Sequence, residues 1–117
     1  MRSDASALTI YRLSETCAVS GQIEAADVAA IAGDGFRTIV CNRPDGEEPG
    51  QPPSRDIAAE CEARGLAFHY IPIDCSGLTT DLVEQFRNAV TRSDGPLLAY
   101  CRSGQRSSAV WQAGGSP

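Results

Sequence analysis

Hydrophobic and polar positions along the chain switch repeatedly between a period of two and a period near 3.6, and turn residues sit at each switch. Residues 8–13 and 16–20 are short β-type runs and predict a paired N-terminal edge. Residues 23–32 read as a helix with Val28, Ile31 and Ala32 on one side and Gly33 to close it. A β-branched strand follows over residues 36–41. Ser54 is placed to cap a helix running to about Arg64, with Ile57, Ala58 and Cys61 inward and Gly65 as its stop. Residues 67–73 predict a strand whose ladder Pro72 interrupts. Thr79, Thr80 or Asp81 caps the clearest helix, with Leu82, Val83, Phe86, Ala89 and Val90 as its apolar stripe. Residues 97–100 form a buried-looking strand, and residues 107–113 suit a last short helix.

Strands that alternate with helices predict an α/β fold, a small and mostly parallel sheet flanked by helices. The length of 117 residues suits one domain over residues 1–117. In such sheets the loops at the carboxyl ends of the strands make the ligand crevice. The loops after Val40, after Ile73 and around Cys101 therefore share one rim. The first of these, residues 42–53, holds four prolines and two glycines, and a loop of that length is functional or mobile.

Composition removes several classes of function. The net charge of −5, with no lysine, does not suit a phosphate backbone, so no nucleic-acid partner is expected. No apolar run reaches the roughly 20 residues that cross a bilayer, and residues 1–7 lack the apolar stretch of a secretory signal. A cytoplasmic protein without a membrane partner is the expectation. The five cysteines are odd in number and none form a C-x-x-C pair, and His69 is the single histidine. Neither a disulfide framework nor a metal site is expected, and no cofactor is implied.

The chemistry concentrates in Tyr100-Cys-Arg-Ser-Gly-Gln-Arg-Ser107. A short loop between a buried strand and a helix start turns successive backbone N–H groups inward and cradles an anion. Residues Arg102, Ser103, Gly104 and Gln105 supply that loop, and Gly104 lets it close tightly. At its head, Cys101 gains a thiolate stabilised by those dipoles and therefore nucleophilic. Arg106 adds a planar, permanently charged fork for an oxyanion. Ser107 is placed to donate a hydrogen bond to the thiolate. The bland alternative, Cys101 as a small buried hydrophobe, leaves Gly, Arg and Ser at helix-entry spacing unexplained. Cys17, Cys41 and Cys61 read as structural, and Cys75 lies on the rim as either an incidental residue or a resolving thiol.

Ala18-Val-Ser-Gly-Gln22, Asn42-Arg-Pro-Asp-Gly-Glu-Glu48 and the Cys101 motif together resemble the family called beta-lactamase hydrolase-like protein, phosphatase-like domain. The resemblance implies a fold like that of dual-specificity cysteine phosphatases, with Cys101 catalytic. In some members the domain is fused to a metallo-beta-lactamase-like persulfide dioxygenase, which the resemblance therefore suggests as a functional partner. Cysteine phosphatases place five residues between nucleophile and arginine, whereas Cys101 and Arg106 are separated by four. The shorter loop is similar to that of single-domain rhodaneses. A narrower ring suits one terminal sulfur better than a phosphoryl group.

The leading expectation is thus a sulfurtransferase. Cys101 takes sulfane sulfur from a small anionic donor such as thiosulfate or a persulfide and passes it to a thiol acceptor such as glutathione. Arg102, Arg43 or both attract the donor, and Arg106 braces the loop. The alternative is a phosphatase, with a small phosphate substrate, Arg106 on the phosphoryl oxygens and Asp74 as general acid. A non-catalytic oxyanion-binding or redox-sensing module is the third reading.

Overall fold

The computed structural model describes residues 8–114; residues 1–7 and 115–117, with the expectation about a signal segment, lie outside it. Five strands form one sheet: β1 (Ile10–Arg12), β2 (Cys17–Ser20), β3 (Thr38–Cys41), β4 (Ala67–Tyr70) and β5 (Leu97–Tyr100). Their order is β1-β2-β5-β3-β4. Only β1 runs antiparallel to its neighbour; β2, β5, β3 and β4 pair in parallel. The expected mostly parallel sheet and its N-terminal edge pair are both present.

Among the described residues four α-helices cover the sheet: α1 (Val28–Gly33), α2 (Ser54–Ala63), α3 (Thr80–Arg92) and α4 (Gln105–Ala113). The period-two alternation of the strands sorts their side chains between two cores. Ala18, Ile39, Cys41, Leu98 and Tyr100 join Val28, Ile31, Ile57 and Cys61 on one face. Cys17, Val19, Val40, Leu97 and Ala99 join Phe86, Ala89 and Val110 on the other. The three central strands are buried on both faces, which is why their sequences read as nearly continuous apolar runs.

Several boundaries differ from expectation, each for a local reason. The helix expected from residue 23 opens as a 3-10 turn, Ala25–Asp27, because the Glu24 N–H donates to Asp27 Oδ2 at 2.8 Å. Ser54 is not a cap but the first residue of α2, with Pro53 at the cap. Its N–H and hydroxyl donate to the two Asp45 carboxylate oxygens at 2.8 and 2.7 Å, so they tie α2 to the preceding loop. Among the three candidate caps of α3, Thr79 acts, accepting from the Leu82 N–H at 3.1 Å. Strand β4 stops at Tyr70, yet Ile71 and Ile73 donate onward to the carbonyls of Cys41 and Asn42, both at 2.9 Å. Pro72 lacks the N–H between them.

Candidate active site

Helix α4 begins immediately after β5, so its first turn lies at the carboxyl edge of the sheet. The earliest N–H groups of any helix lack intrahelical partners. Here most of them find one in the Cys101 sulfur. The Gly104 N–H donates to Sγ at 3.0 Å, and the amides of Ser103, Arg106 and Ser107 also turn to it. Burial raises the thiol pKa, but these four N–H groups outweigh it, and the net direction is down. Cys17, Cys41 and Cys61, buried without such a cradle, are all driven up.

Two close approaches hold the loop in place. Gly104 has φ of +93°, and an added Cβ would stand 3.4 Å from the Ser20 backbone. A Cβ on Gly21 would stand 2.9 Å from the Arg102 carbonyl, to which the Gln22 N–H donates at 3.3 Å. The glycine of the Ala18–Gln22 motif is therefore needed at the loop's contact with β2.

Beside the loop lies a cleft of about 500 Å³, lined by Arg43, Glu47, Glu48, Asp74, Cys75, Arg102 and Arg106; Cys101, fully buried, lies behind this lining, next in sequence to Arg102. The rim deduced from strand order is real: all three loops contribute. Two residues that carry much of its electrostatics, Glu47 and Glu48, escaped sequence reasoning. Glu47 Oε2 accepts from Arg106 Nη1 at 2.7 Å, and its Oε1 accepts from Arg106 Nη2 at 3.0 Å and from Arg43 Nε at 2.9 Å. Pairing with Arg106, aided by Arg43 and opposed by partial burial, holds the Glu47 carboxyl down at about 2. Arg106 Nη1 also donates to the Ile73 carbonyl at 2.7 Å. The end of the guanidinium is thus spent on the rim, and the Arg106 side chain also hydrogen-bonds the Cys101 sulfur. An acidic pair in a rim loop, opposite arginines in a lysine-free chain, was the available signal.

The remaining candidates are distributed unevenly. Arg43 lines the cleft but is buried, and it donates to Glu47, to Gln22 Oε1 at 3.0 Å and to Glu48. Its guanidinium is committed to holding the rim loop rather than free to attract a donor. Arg102 is well exposed, with only a 3.6 Å approach to Glu48. Asp74 sits on the rim, and two hydrogen bonds from Ser76, through its hydroxyl and N–H, lower its pKa.

Ser103 and Gln105 turn their side chains from this cleft. They line a separate groove with Tyr11 and Gln112, and the Gln105 N–H donates to Ser103 Oγ at 3.4 Å rather than to the sulfur. Ser107 departs from expectation too. Its hydroxyl donates to Asn42 Oδ1 at 2.8 Å, and its amide, not its hydroxyl, serves Cys101. Cys75 is exposed on the rim.

Residues 9–116 match the family model for beta-lactamase hydrolase-like protein, phosphatase-like domain. The chain belongs to that family. Among curated relatives, the beta-lactamase hydrolase-like protein of Agrobacterium fabrum is 31% identical over 103 residues, which cover 88% of this chain and 24% of the relative. The chain thus spans about a quarter of that relative's length. A candidate phosphatase from Neisseria meningitidis is 40% identical, with a TM-score of 0.79 over 87% of this chain and 72% of that one. The P. aeruginosa protein TpbA, solved as a serine-for-cysteine variant in complex with phosphotyrosine, is 19% identical, with a TM-score of 0.63. Its match covers 94% of this chain and 63% of that one, and shows that the phosphatase-like domain shares TpbA's fold. No helix among the described residues is long and apolar enough to cross a membrane.

Proposed function

We propose that the chain is a cysteine-dependent phosphohydrolase acting on aryl phosphate monoesters. The observation that carries this reading is the convergence of four amide N–H groups on Cys101, in a loop whose Arg102 and Arg106 line the cleft. The family and the phosphatase-like fold support it over the sulfur transfer that loop length alone puts first. The Cys101 thiolate attacks phosphorus, and the bond to the phenoxide oxygen breaks with its electron pair leaving on oxygen. Water then displaces the thiolate from the phosphocysteine and releases inorganic phosphate. Arg106, whose side chain lies against the sulfur, neutralises charge on the phosphoryl oxygens.

The leaving-group class follows from the carboxyls. Asp74 and Glu47 are both held toward the ionised form, so neither is a ready proton donor near neutrality. Phenoxide, the conjugate base of an acid of pKa about 10, departs with less help than an alkoxide. Phosphotyrosine bound to TpbA is an ester of that kind.

The same want of an acid, with the four-residue loop, favours a second reading. Cys101 attacks the outer sulfur of thiosulfate, the S–S bond breaks, and sulfite leaves with the electron pair and needs no proton. A thiolate such as that of glutathione then takes the sulfur from the persulfide. One comparison decides between the readings: turnover of an aryl phosphate against thiosulfate-to-glutathione transfer, each with wild type, Cys101→Ser and Asp74→Asn. The phosphatase reading expects aryl phosphate turnover that Cys101→Ser abolishes. Asp74→Asn should then cost well under the roughly 10²–10⁴ that loss of a working acid costs. Negligible phosphatase activity beside thiosulfate turnover, with one sulfur added to Cys101 by intact mass, would overturn it in favour of the second. A full-sized loss in Asp74→Asn would restore Asp74 as the acid.

A further inference from the structure

We propose that Asn42 is a positioning residue for the reaction: acting through Ser107, it aims the first-turn amides of α4 at the Cys101 sulfur. The inference rests on Cys101 being the reacting atom, and it holds for either chemistry above.

Asn42 is fully buried where three segments meet. Its backbone N–H donates to the Tyr100 carbonyl at 2.8 Å, one residue before Cys101, and its carbonyl accepts from the Ile73 N–H at 2.9 Å. Its Nδ2 donates to the Ile71 carbonyl, and its Oδ1 accepts from Ser107 Oγ, both at 2.8 Å. The direction of these bonds is forced. Only the NH₂ end of the amide can face the Ile71 carbonyl, which leaves Oδ1 facing Ser107. An oxygen without a hydrogen obliges the Ser107 hydroxyl to be the donor. That hydroxyl has one hydrogen, so none remains for the thiolate.

Ser107 therefore serves the sulfur only through its backbone N–H, whose direction depends on where the side chain is anchored. The anchor directly follows β3, a strand buried on both faces. Asn42 also grips Ile71 and Ile73, and the Ile73 carbonyl receives Arg106. One buried amide thus couples the sulfur cradle to the seat of the arginine. The charged groups around the sulfur are Arg106 against it, Glu47 behind Arg106, and Arg102, Arg43, Glu48 and Asp74 about the cleft. Asn42 hydrogen-bonds only Tyr100, Ile71, Ile73 and Ser107 among the described residues, so replacing it changes the cradle without removing a charge.

The test reads the Cys101 thiol itself, by alkylation rate against pH in the full chain, and needs no substrate. It therefore stands or falls apart from the proposed activity. Asn42→Ala should move the inflection up by about one unit, which is about tenfold less thiolate at a pH below both values. Ser107→Ala should move it by a similar amount, and the double variant by no more than the larger single shift. Activity lost at neutral pH should return as the pH rises past the new inflection, as loss of folded protein would not.

If Ser107→Ala raises the inflection while Asn42→Ala leaves or lowers it, the hydroxyl serves the sulfur directly and the inference is overturned. Should Asn42→Ala fail to fold, hydrogen exchange at the Arg106 and Ser107 amides of Ser107→Ala decides. Faster exchange than wild type supports the positioning role, and unchanged exchange overturns it.

Discussion

Gly104 does two things at the mouth of the loop. It adopts φ of +93° at the cap of α4, and its N–H points at the Cys101 sulfur from 3.0 Å. A Cβ there meets both the left-handed penalty of about 1–2 kcal/mol and the Ser20 backbone at 3.4 Å. Relief of either turns the N–H away from sulfur. Gly104→Ala should thus lower the unfolding free energy by about 1–2 kcal/mol and raise the pH at which Cys101 becomes alkylatable. Denaturant melts and an alkylation titration of one preparation check both. A stability loss with an unmoved thiol titration would show that the Gly104 N–H contributes little to the cradle.

The rim loop between β3 and α2 looked like a mobile or functional element from its prolines and glycines. It lines the cleft through Arg43, Glu47 and Glu48, and it is braced. Gln51 accepts from the Glu47 and Glu48 amides at 3.0 and 3.3 Å, and Asp45 holds Ser54. Glu47 joins the element to Arg106 on α4. Its folded-state pKa is depressed from 4.5 to about 2, so its contribution to stability is fully present above 4.5 and is lost as the pH falls through about 2. The thermal midpoint of the wild type should fall across that window. Glu47→Gln should start from a lower midpoint near neutrality and flatten this part of the acid limb. Equal acid limbs for the two proteins would remove Glu47 as the brace.

At the scale of the whole molecule, the thiols buried in the two cores titrate against the fold. Burial pushes Cys17 up to about 12 and Cys61 up to about 11, from an ordinary value of 9.0. Above pH 9 the unfolded chain loses these protons while the folded chain keeps them, so stability declines with rising pH. Thermal midpoints should fall from about pH 9 upward. The slope should shrink in Cys17→Ala and Cys61→Ala even though both start less stable; slopes identical to the wild type would place the alkaline sensitivity elsewhere.

Much of this architecture was legible in one dimension. Strands and helices follow from period, as with the stripe Leu82, Val83, Phe86, Ala89 and Val90 on α3, because burying a face requires only a local repeat. The cysteine loop was legible for the same reason: Cys101, Gly104 and the first turn of α4 lie within seven residues, and the orphan N–H groups of a helix start are a local property. The shared rim could be deduced as well, since parallel strands must bring the loops after β3, β4 and β5 to one end of the sheet. What only the tertiary structure decided was where each charge and hydroxyl is spent. Arg106 meets Glu47 across a separation of 59 residues, and Ser107 meets Asn42 across 65. Arg43 is buried against Gln22 and two glutamates instead of open to a ligand. These pairings leave no periodic trace, because a hydrogen bond between distant segments depends on how the segments pack. The sequence by itself determined that the N–H groups of a helix start would surround Cys101; the packed rim decided which charged and polar groups near it remain free, because that depends on how distant segments meet.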